Sequence, residues 1–393
     1  MGVLSTDAPR RRALDRRIAW QVAFGALAIR VVSTLLGFIV NLTFPLDRQP
    51  DTVFPTPSPF WDVFVHWDSG WYEGIARHGY QFFVDSRCNV GFFPVYPLLM
   101  RYVGRLFGTY HAAYYFGGII VSWLSFIGAM VALYYLARLD VPRRTALRAV
   151  LLIAVFPFSY FFGEVYSEST FLLFAVIGFY GFRTRRWILG GLAASVAIAT
   201  RVPGILMMPA LAWIAWKQAE PSLRDRGLAV AGLVLALGGF TWYCAFIYSL
   251  SGHPFAWVAT IEKWDYHPGG APWAAPAKIL FNLATQPYAY LQSGPAALID
   301  TLYGVTGLVF VGMVPFVWYR LGAGYALFML LSLWLPWSSG STEGIGRYCS
   351  VLFPAFIWLA TIRSRPIATA LVVLSALLYP IAFALFLTNH ALY

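Results

Sequence analysis

The residues best able to do chemistry lie in one aromatic-rich stretch that begins near residue 60. It contains two Trp-Asp pairs, Trp61-Asp62 and Trp67-Asp68, six residues apart, and His66 directly precedes the second pair. A carboxylate flanked by indoles at a membrane interface can have a raised pKa, and it can then act as a general base toward a sugar hydroxyl. The alternative is that these acidic residues, like most loop carboxylates, are ordinary solvated charges.

The amino-acid composition indicates whether water or lipid surrounds most of this chain. The 393 residues are 59% hydrophobic and 11% charged, and the mean hydropathy is +0.65. A soluble domain of this length could not bury so much apolar surface in one core, so most of the chain must lie in lipid. The net charge of +11 would suggest nucleic acid in a soluble protein, but here the basic residues are confined to short gaps between apolar stretches. We therefore expect the lipid bilayer as a partner and no nucleic acid.

Eleven apolar stretches predict an all-α polytopic membrane protein. A membrane-spanning helix needs about 20 apolar residues, or fewer where it is partly buried in protein. By this criterion the predicted helices are 18–42, 112–137, 146–162, 168–182, 187–200, 204–217, 228–250, 297–319, 321–337, 348–362 and 367–388.

The distribution of charge predicts the orientation of these helices. With the N-terminus in the cytoplasm, 18 of the 28 Lys and Arg residues fall in short inside segments, and 12 of the 17 acidic residues fall on the outer side, as the positive-inside rule requires. The outer side then has two long segments, 43–111 and 251–296, both rich in Pro and aromatic residues. We expect them to form interfacial helices and turns, and we expect the function to be extracytoplasmic.

Charged residues also stand at the ends of several apolar stretches. Glu164 and Glu168 flank a very short outer turn, where they can take part in a site or complement the N-terminus of the next helix. Arg201 and Arg347 each lie beside an apolar stretch in a position that the positive-inside rule does not explain. Such arginines can grip a lipid-linked phosphate with two hydrogen bonds, or they can extend toward lipid headgroups. Arg101, after an aromatic segment, presents the same alternatives.

Arg30 and the cysteines raise questions that only packing can answer. Arg30 lies inside the first predicted helix, where an unpaired charge costs about 2.5 kcal/mol or more, so it should have a partner or a water-filled cavity. Cys88 and Cys349 both fall near the predicted outer face, and a bridge between them stays open.

Several motifs of soluble enzymes are absent from the sequence. It has no glycine-rich phosphate loop, no metal-ligand spacing of histidines around a glutamate, and no nucleophile elbow. We therefore predict no cofactor and no metal site.

Five segments, taken in order, resemble the PIG-V-like mannosyltransferases, which comprise GPI mannosyltransferase II and its bacterial relatives in the GT-C superfamily of membrane glycosyltransferases. The ordered series spans about residues 60–355, which makes the resemblance specific. The matching segments are Trp67-Asp68-Ser69-Gly70-Trp71-Tyr72 with Ile75-Ala76 and Gly79-Tyr80, Phe93-Pro94-Val95-Tyr96-Pro97, Tyr166-Ser167-Glu168-Ser169, Thr200-Arg201 with Gly204, and Arg347-Tyr348 with Phe353-Pro354.

The resemblance implies a transferase that passes a hexose, typically mannose, from a polyprenyl-phosphate donor to a lipid or glycan acceptor on the outer face, with inversion. It implies a GT-C fold, with a conserved module of about seven helices in residues 1–250 and a variable part in 251–393. Asp68 matches the acidic residue of the first outer loop that acts as the base. The residues predicted to bind donor or acceptor are His66, Trp67, Trp71, Tyr72, Arg101, Glu164, Glu168, Arg201, Arg347 and Tyr348.

Two other hypotheses compete with an enzyme. A transporter or lipid flippase would also need many helices and an outer groove, but the two halves show no internal repeat and the acidic residues cluster at the outer face. A non-catalytic subunit of a glycosyltransferase complex would keep the fold and be indifferent to loss of Asp68. The expected location is a bacterial plasma membrane, because the chain is short and carries no retention signal.

Overall fold

The computed structural model describes residues 7–44, 58–264, 269–340 and 342–388, which form helices and turns with no β-strand among them. In the first part of the chain the helices are α1 (Asp7–Thr43), α2 (Trp61–Phe64), α3 (Asp68–His78), α4 (Val95–Arg105), α5 (His111–Ala137), α6 (Arg143–Ala154), α7 (Glu168–Arg183), α8 (Trp187–Ile198), α9 (Met207–Gln218) and α10 (Leu223–Ser251). The remaining helices are α11 (Ala256–Ala259), α12 (Ala274–Thr285), α13 (Pro287–Leu291), α14 (Pro295–Leu321), α15 (Ala323–Trp337), α16 (Ile345–Ser350), α17 (Phe353–Ala360) and α18 (Arg365–Leu387). Short 3-10 helices lie at Asn89–Gly91, Ser159–Phe162, Val202–Gly204 and Thr260–Trp264.

Each of the eleven predicted apolar helices has a counterpart, and the two clear differences occur at prolines. The helix predicted over 146–162 ends at Ala154 as α6, and a 3-10 turn follows, because Pro157 disfavours helical backbone in the residue before it. The helix predicted over 348–362 is divided into α16 and α17, because Pro354 suits the first turn of a new helix and not the interior of an old one.

The chain is an integral membrane protein by the length and composition of its helices. Five helical segments of the described residues are long and apolar enough to cross a bilayer: Arg16–Thr43, His111–Ala137, Leu223–Ser251, Ile299–Leu321 and Arg365–Leu387. Two shorter helices, α8 and α15, are also strongly apolar. The total of eleven crossings stays a prediction.

Small residues let the central helices approach closely. A Cβ added at Gly191 would collide with the carbonyl oxygen of Gly232, and one added at Gly239 would collide with the carbonyl oxygen of Ser195. Backbone contact of this kind between α8 and α10 is how helices associate where lipid removes the hydrophobic driving force.

The loops predicted to be inside meet one another at one end of the bundle. Arg183, the last residue of α7, pairs with Asp140 before α6, with 2.6 Å between Nη2 and Oδ1. Arg148 donates from Nη1 to the carbonyl oxygen of Ile362 at 3.0 Å. These contacts agree with the predicted alternation of inside and outside segments.

The two long outer segments contain short helices, as expected. The first carries α2, α3 and α4, and the second carries α11, α12 and α13. They meet where Arg87 of the first donates from Nε to the carbonyl oxygen of Lys263 in the second, at 3.0 Å. The short helix α3, which begins at Asp68, also contacts the second loop, because the ring of Trp71 lies 4.8 Å from that of Trp264.

The close approach of α8 and α10 predicts that a single methyl group is destabilising. Gly239→Ala should lower the free energy of unfolding by about 1–3 kcal/mol, because the added methyl overpacks against backbone that cannot yield. Gly227→Ala, in the same helix but with open space around its Cβ position, is the matched control. Thermal unfolding in detergent measures both, and equal melting temperatures would contradict this packing.

Candidate active site

Asp68 is the first residue of α3, and an unusual backbone conformation precedes it. Trp67 has φ of 38°, a region that residues with side chains seldom occupy. Contacts with the last helix hold this conformation: the rings of Trp67 and His66 lie 5.3 and 4.9 Å from that of Phe386, centroid to centroid. Strain of this kind is found where a side chain must be aimed, and here it aims Asp68.

Asp68 belongs to a cluster of four charged residues, Asp68, Glu168, Arg201 and Arg347, which we call the charge cluster. Arg347 donates from Nη1 to Oδ2 of Asp68 at 2.7 Å and from Nε to Oε1 of Glu168 at 2.5 Å. Arg201 forms an ion pair with the same Oε1. The cluster thus joins the first outer loop, the start of α7, the end of α8 and the start of α16.

Within the charge cluster, side-chain exposure increases from Glu168 through the two arginines to Asp68. The side chain of Glu168 is inaccessible, those of Arg201 and Arg347 are 11% and 12% exposed, and that of Asp68 is 26% exposed. Two carboxylates balance two guanidinium groups, so the cluster carries no net charge. Asp68 is therefore the most accessible member of the charge cluster.

The turn 163–167, which we call the site turn, holds α3 against this cluster. The N–H of Val165 donates to the carbonyl oxygen of Phe64 at 3.0 Å, and Ser69 Oγ donates to the carbonyl oxygen of Val165 at 3.2 Å. Tyr166 donates from its hydroxyl to the carbonyl oxygen of His66 at 3.2 Å. The backbone on both sides of Asp68 is therefore anchored to one turn.

Tyr72 links α3 to the end of the site turn. Its hydroxyl lies 2.9 Å from Oγ of Ser167. Burial, assisted by the nearby charges of Glu168 and Asp68, raises the pKa of Tyr72 far above its ordinary value. Tyr72 therefore stays a neutral hydrogen-bonding group and cannot act as a base.

Nη1 of Arg201 is buried and donates no hydrogen bond to the described residues. The guanidinium of Arg201 lies over the ring of Tyr348, 5.5 Å from the centroid, and its Nη1 is in ion-pair contact with Glu168. Apart from this ion pair, the buried nitrogen has no hydrogen-bond partner within the described part of the chain. An oxygen atom of a bound anion would satisfy it.

Of the predicted site residues, the structure brings Tyr72, Glu168, Arg201, Arg347 and Tyr348 to Asp68. His66 and Trp67 support the start of α3, and His66 Nε2 lies 2.8 Å from the carbonyl oxygen of Asp62. These positions are compatible with the predicted binding roles, which stay predictions.

Three other predicted residues lie apart from the charge cluster. Arg101 donates from Nε and Nη2 to the carbonyl oxygens of Ala76 and Ile75, at 2.6 and 2.9 Å, and so caps the C-terminal end of α3. Trp71 packs on the rings of Phe92 and Trp264, away from the arginines. Glu164 is buried on the far side of the site turn, and it is considered further below.

The three cysteines are all free and buried, so Cys88 and Cys349 do not form the disulfide that the sequence left open. Cys88 packs in an outer cluster with Phe93 and Tyr243, whereas Cys349 belongs to the main core.

Two aromatic residues of the site pack against an arginine, and nothing in the sequence predicts this contact. The rings of Tyr166 and Phe161 lie 4.7 and 5.2 Å from the guanidinium carbon of Arg347. Such cation–π contacts help to stabilise a buried guanidinium group. Tyr166 stands in a segment that carries the family resemblance, but nothing local indicates that its ring faces an arginine 181 residues away.

Comparison with known proteins supports the family resemblance. Residues 47–226 match the family model described as Mannosyltransferase (PIG-V). An uncharacterized protein of Aquifex aeolicus (strain VF5) is 27% identical over 153 residues, which are 39% of this chain and 36% of that protein. The match thus spans little more than a third of that curated relative.

The solved structure of ArnT shares the fold at low sequence identity. ArnT from Cupriavidus metallidurans, crystallised with undecaprenyl phosphate, superposes with a TM-score of 0.51 and 14% identity over 93% of this chain and 76% of ArnT. The apo oligosaccharyltransferase of Archaeoglobus fulgidus gives a TM-score of 0.48 and 12% identity over 94% of this chain and 56% of that enzyme. The predicted all-α GT-C fold and the resemblance to the PIG-V mannosyltransferases are confirmed.

The burial of Glu168 predicts that its charge is essential for stability. Glu168→Gln should lower the free energy of unfolding by about 3–5 kcal/mol, because two arginines would lose the buried charge that compensates them. Glu220→Gln removes the partner of Arg185 in an exposed ion pair and should cost less than about 1 kcal/mol. Denaturation of both variants in detergent measures the contrast, and similar losses would contradict the central position of Glu168.

Proposed function

We propose that this chain, which carries the mannosyltransferase (PIG-V) family region at residues 47–226 and the GT-C fold, is a membrane glycosyltransferase. It transfers mannose or another hexose from a polyprenyl-phosphate donor to an extracytoplasmic lipid or glycan acceptor. The observation that carries the proposal is the charge cluster: a partly exposed carboxylate hydrogen-bonded to an arginine, with a second arginine close behind.

Asp68 acts as the general base in this proposal. As the acceptor oxygen attacks the anomeric carbon, its proton passes to Asp68 and a new C–O bond forms. The bond from the anomeric carbon to the phosphate oxygen breaks, and its electron pair remains on the phosphate. Attack from the side opposite the phosphate inverts the anomeric centre. Of the two carboxylate oxygens of Asp68, Oδ2 accepts a hydrogen bond from Arg347, and Oδ1 accepts none from the described residues. This difference supports Oδ1 as the proton acceptor.

The two arginines bind the donor phosphate and stabilise the charge that it gains. Arg201 offers the buried Nη1 to a phosphate oxygen in the ground state. Arg347 is held by Asp68 until that carboxylate takes up the proton and loses its charge. It can then turn toward the leaving phosphate, so that proton transfer and stabilisation of the leaving group are coupled through one guanidinium.

A polyprenyl phosphate as the donor carrier rests on the fold and on the position of the site. ArnT, which has the same fold, was crystallised with undecaprenyl phosphate. In this chain Arg347 of the charge cluster lies against Phe161, which packs on Phe386 near the end of α18, a helix long and apolar enough to cross a bilayer. A lipid tail can therefore stay in the bilayer while its phosphate reaches Arg201.

The division into a conserved module, 1–250, and a variable part, 251–393, is part of this proposal. Arg347 and Tyr348 belong to the second part, yet Arg347 contacts both carboxylates of the charge cluster. The module alone would therefore lack a catalytic group, and both parts are needed for turnover.

Substitution of Asp68 tests the proposal. With labelled polyprenyl-phosphate mannose and membrane lipids as a source of acceptor, Asp68→Asn should lower turnover about 10²- to 10⁴-fold, because the base is lost. Asp85→Asn, at an exposed position of the same loop, is the matched control and should leave turnover unchanged. Full turnover by Asp68→Asn would disprove the base. Failure of the wild type to bind the donor would disprove the donor class and favour a transporter.

Donor binding should depend on the shape of the Arg201 side chain as well as on its charge. Arg201→Lys should weaken binding of a short-chain polyprenyl phosphate about 10- to 100-fold, because a single ammonium nitrogen lacks the planar guanidinium whose separate nitrogens can contact Glu168 and phosphate in different directions. Arg363→Lys, exposed at the opposite end, should bind like the wild type. Titration calorimetry in detergent measures both, and unchanged affinity for Arg201→Lys would remove Arg201 from the donor site.

A further inference from the structure

Arg30 occupies an exceptional position for a charged residue. It lies near the middle of the apolar segment Arg16–Thr43 of α1, and its side chain is only 1% exposed. One nitrogen, Nη1, donates to the carbonyl oxygen of Ser159 at 2.9 Å, and the guanidinium carbon lies 4.4 Å from the centroid of the Phe126 ring. The partner expected from the sequence is therefore found. It is a neutral carbonyl, which does not balance the charge of Arg30.

An acidic residue, Glu164 of the site turn, is buried beside Arg30. Its side chain is 2% exposed, and the Arg30 guanidinium packs against the adjacent Gly163, where an added Cβ would lie 3.0 Å from Nη1. Burial raises the pKa of Glu164, and the Arg30 charge opposes that rise. Arg30 is thus near enough to favour the charged form of Glu164, although the two side chains form no salt bridge within the described part of the chain.

Both residues have buried polar atoms without hydrogen-bond partners. Nε and Nη2 of Arg30 and Oε2 of Glu164 are buried and have no hydrogen-bond partner within the described part of the chain. Buried polar atoms of opposite character usually satisfy one another, directly or through ordered water. The charge cluster offers Glu164 no such partner, because both of its arginines contact Glu168 instead.

The main chain beside Glu164 connects this pair to the reacting groups. Val165, the next residue, is hydrogen-bonded to Phe64 and Ser69 on either side of Asp68. Tyr166 supports Arg347 with its ring and the carbonyl group of His66 with its hydroxyl. A shift of Glu164 would therefore displace the base and its arginine together.

We propose that Arg30 and Glu164 form a buried charge pair that positions the site turn, and through it Asp68 and Arg347. Glu164 is then a positioning residue and not a ligand of donor or acceptor. The effect on turnover rests on the proposed function, whereas the effect on the site turn does not.

A four-protein cycle tests the pair: wild type, Arg30→Gln, Glu164→Gln and the double variant. Each single variant leaves one buried charge uncompensated, and the double variant leaves none. We expect each single variant to lower kcat about tenfold or more, with the donor KM within about twofold. The double variant should recover most of the loss, because coupled residues are not additive. Arg30→Lys should retain more activity than Arg30→Gln.

Hydrogen–deuterium exchange gives a readout that does not require turnover. Peptides that cover 63–70 and 163–170 should exchange faster in each single variant and regain protection in the double variant. The control cycle uses Arg183→Gln and Asp140→Asn, an ion pair at the opposite end of the bundle, and should leave both peptides and kcat unchanged.

Three results would overturn the proposal. Additive losses in the double variant would show that the charges are not coupled. A raised donor or acceptor KM with unchanged kcat in Glu164→Gln would make Glu164 a substrate ligand. Unchanged exchange of both peptides in the single variants would show that the pair does not position the turn. If the wild type has no turnover, the proposed function fails, and the exchange data still decide whether the pair positions the turn.

Discussion

The structure of the site depends on the guanidinium of Arg347, which bridges Asp68 and Glu168 across 279 and 179 residues of sequence. Burying one charge in a helical bundle is unfavourable, and burying four is tolerable only when each is paired and hydrogen-bonded. Glu168 is the centre of that compensation, since both arginines contact it. The surrounding helices must therefore bring four distant segments together at one point, and the site turn is the main-chain element that does so.

Two charged assemblies then lie on opposite sides of the site turn. The charge cluster contains the partly exposed Asp68, whereas Arg30 of α1 and Glu164 of the turn are buried. Val165 and Tyr166 lie between Glu164 and Glu168 in sequence. Val165 contacts Ser69 at the start of α3, and Tyr166 contacts Arg347. A turn constrained from both sides can hold the strained backbone at Trp67, which a flexible loop would relax.

The helices were largely predictable because hydropathy is a local property of the sequence. Apolar stretches of spanning length have helical counterparts throughout, and the two interruptions occur at Pro157 and Pro354, whose effect on backbone is also local. The charged residues of the site were also recognisable, since an ionisable group beside an apolar stretch is exceptional. Their roles were less predictable: Arg101 resembles Arg201 in sequence context, yet it caps α3 and does not reach the charge cluster.

The sequence by itself determined that the protein resides in a membrane, that its helices are joined by basic and aromatic-rich loops, and that Asp68 and several arginines are the candidates for chemistry. Only the tertiary structure decided that Arg347 joins Asp68 to Glu168, that Arg201 approaches Glu168, and that Arg30 packs against the turn that contains Glu164. The reason is physical: hydropathy and helix breaking act over a few residues, whereas ion pairing depends on which helix faces meet. Those faces are set by close packing of small residues between helices, and a single sequence does not encode that packing in any local pattern.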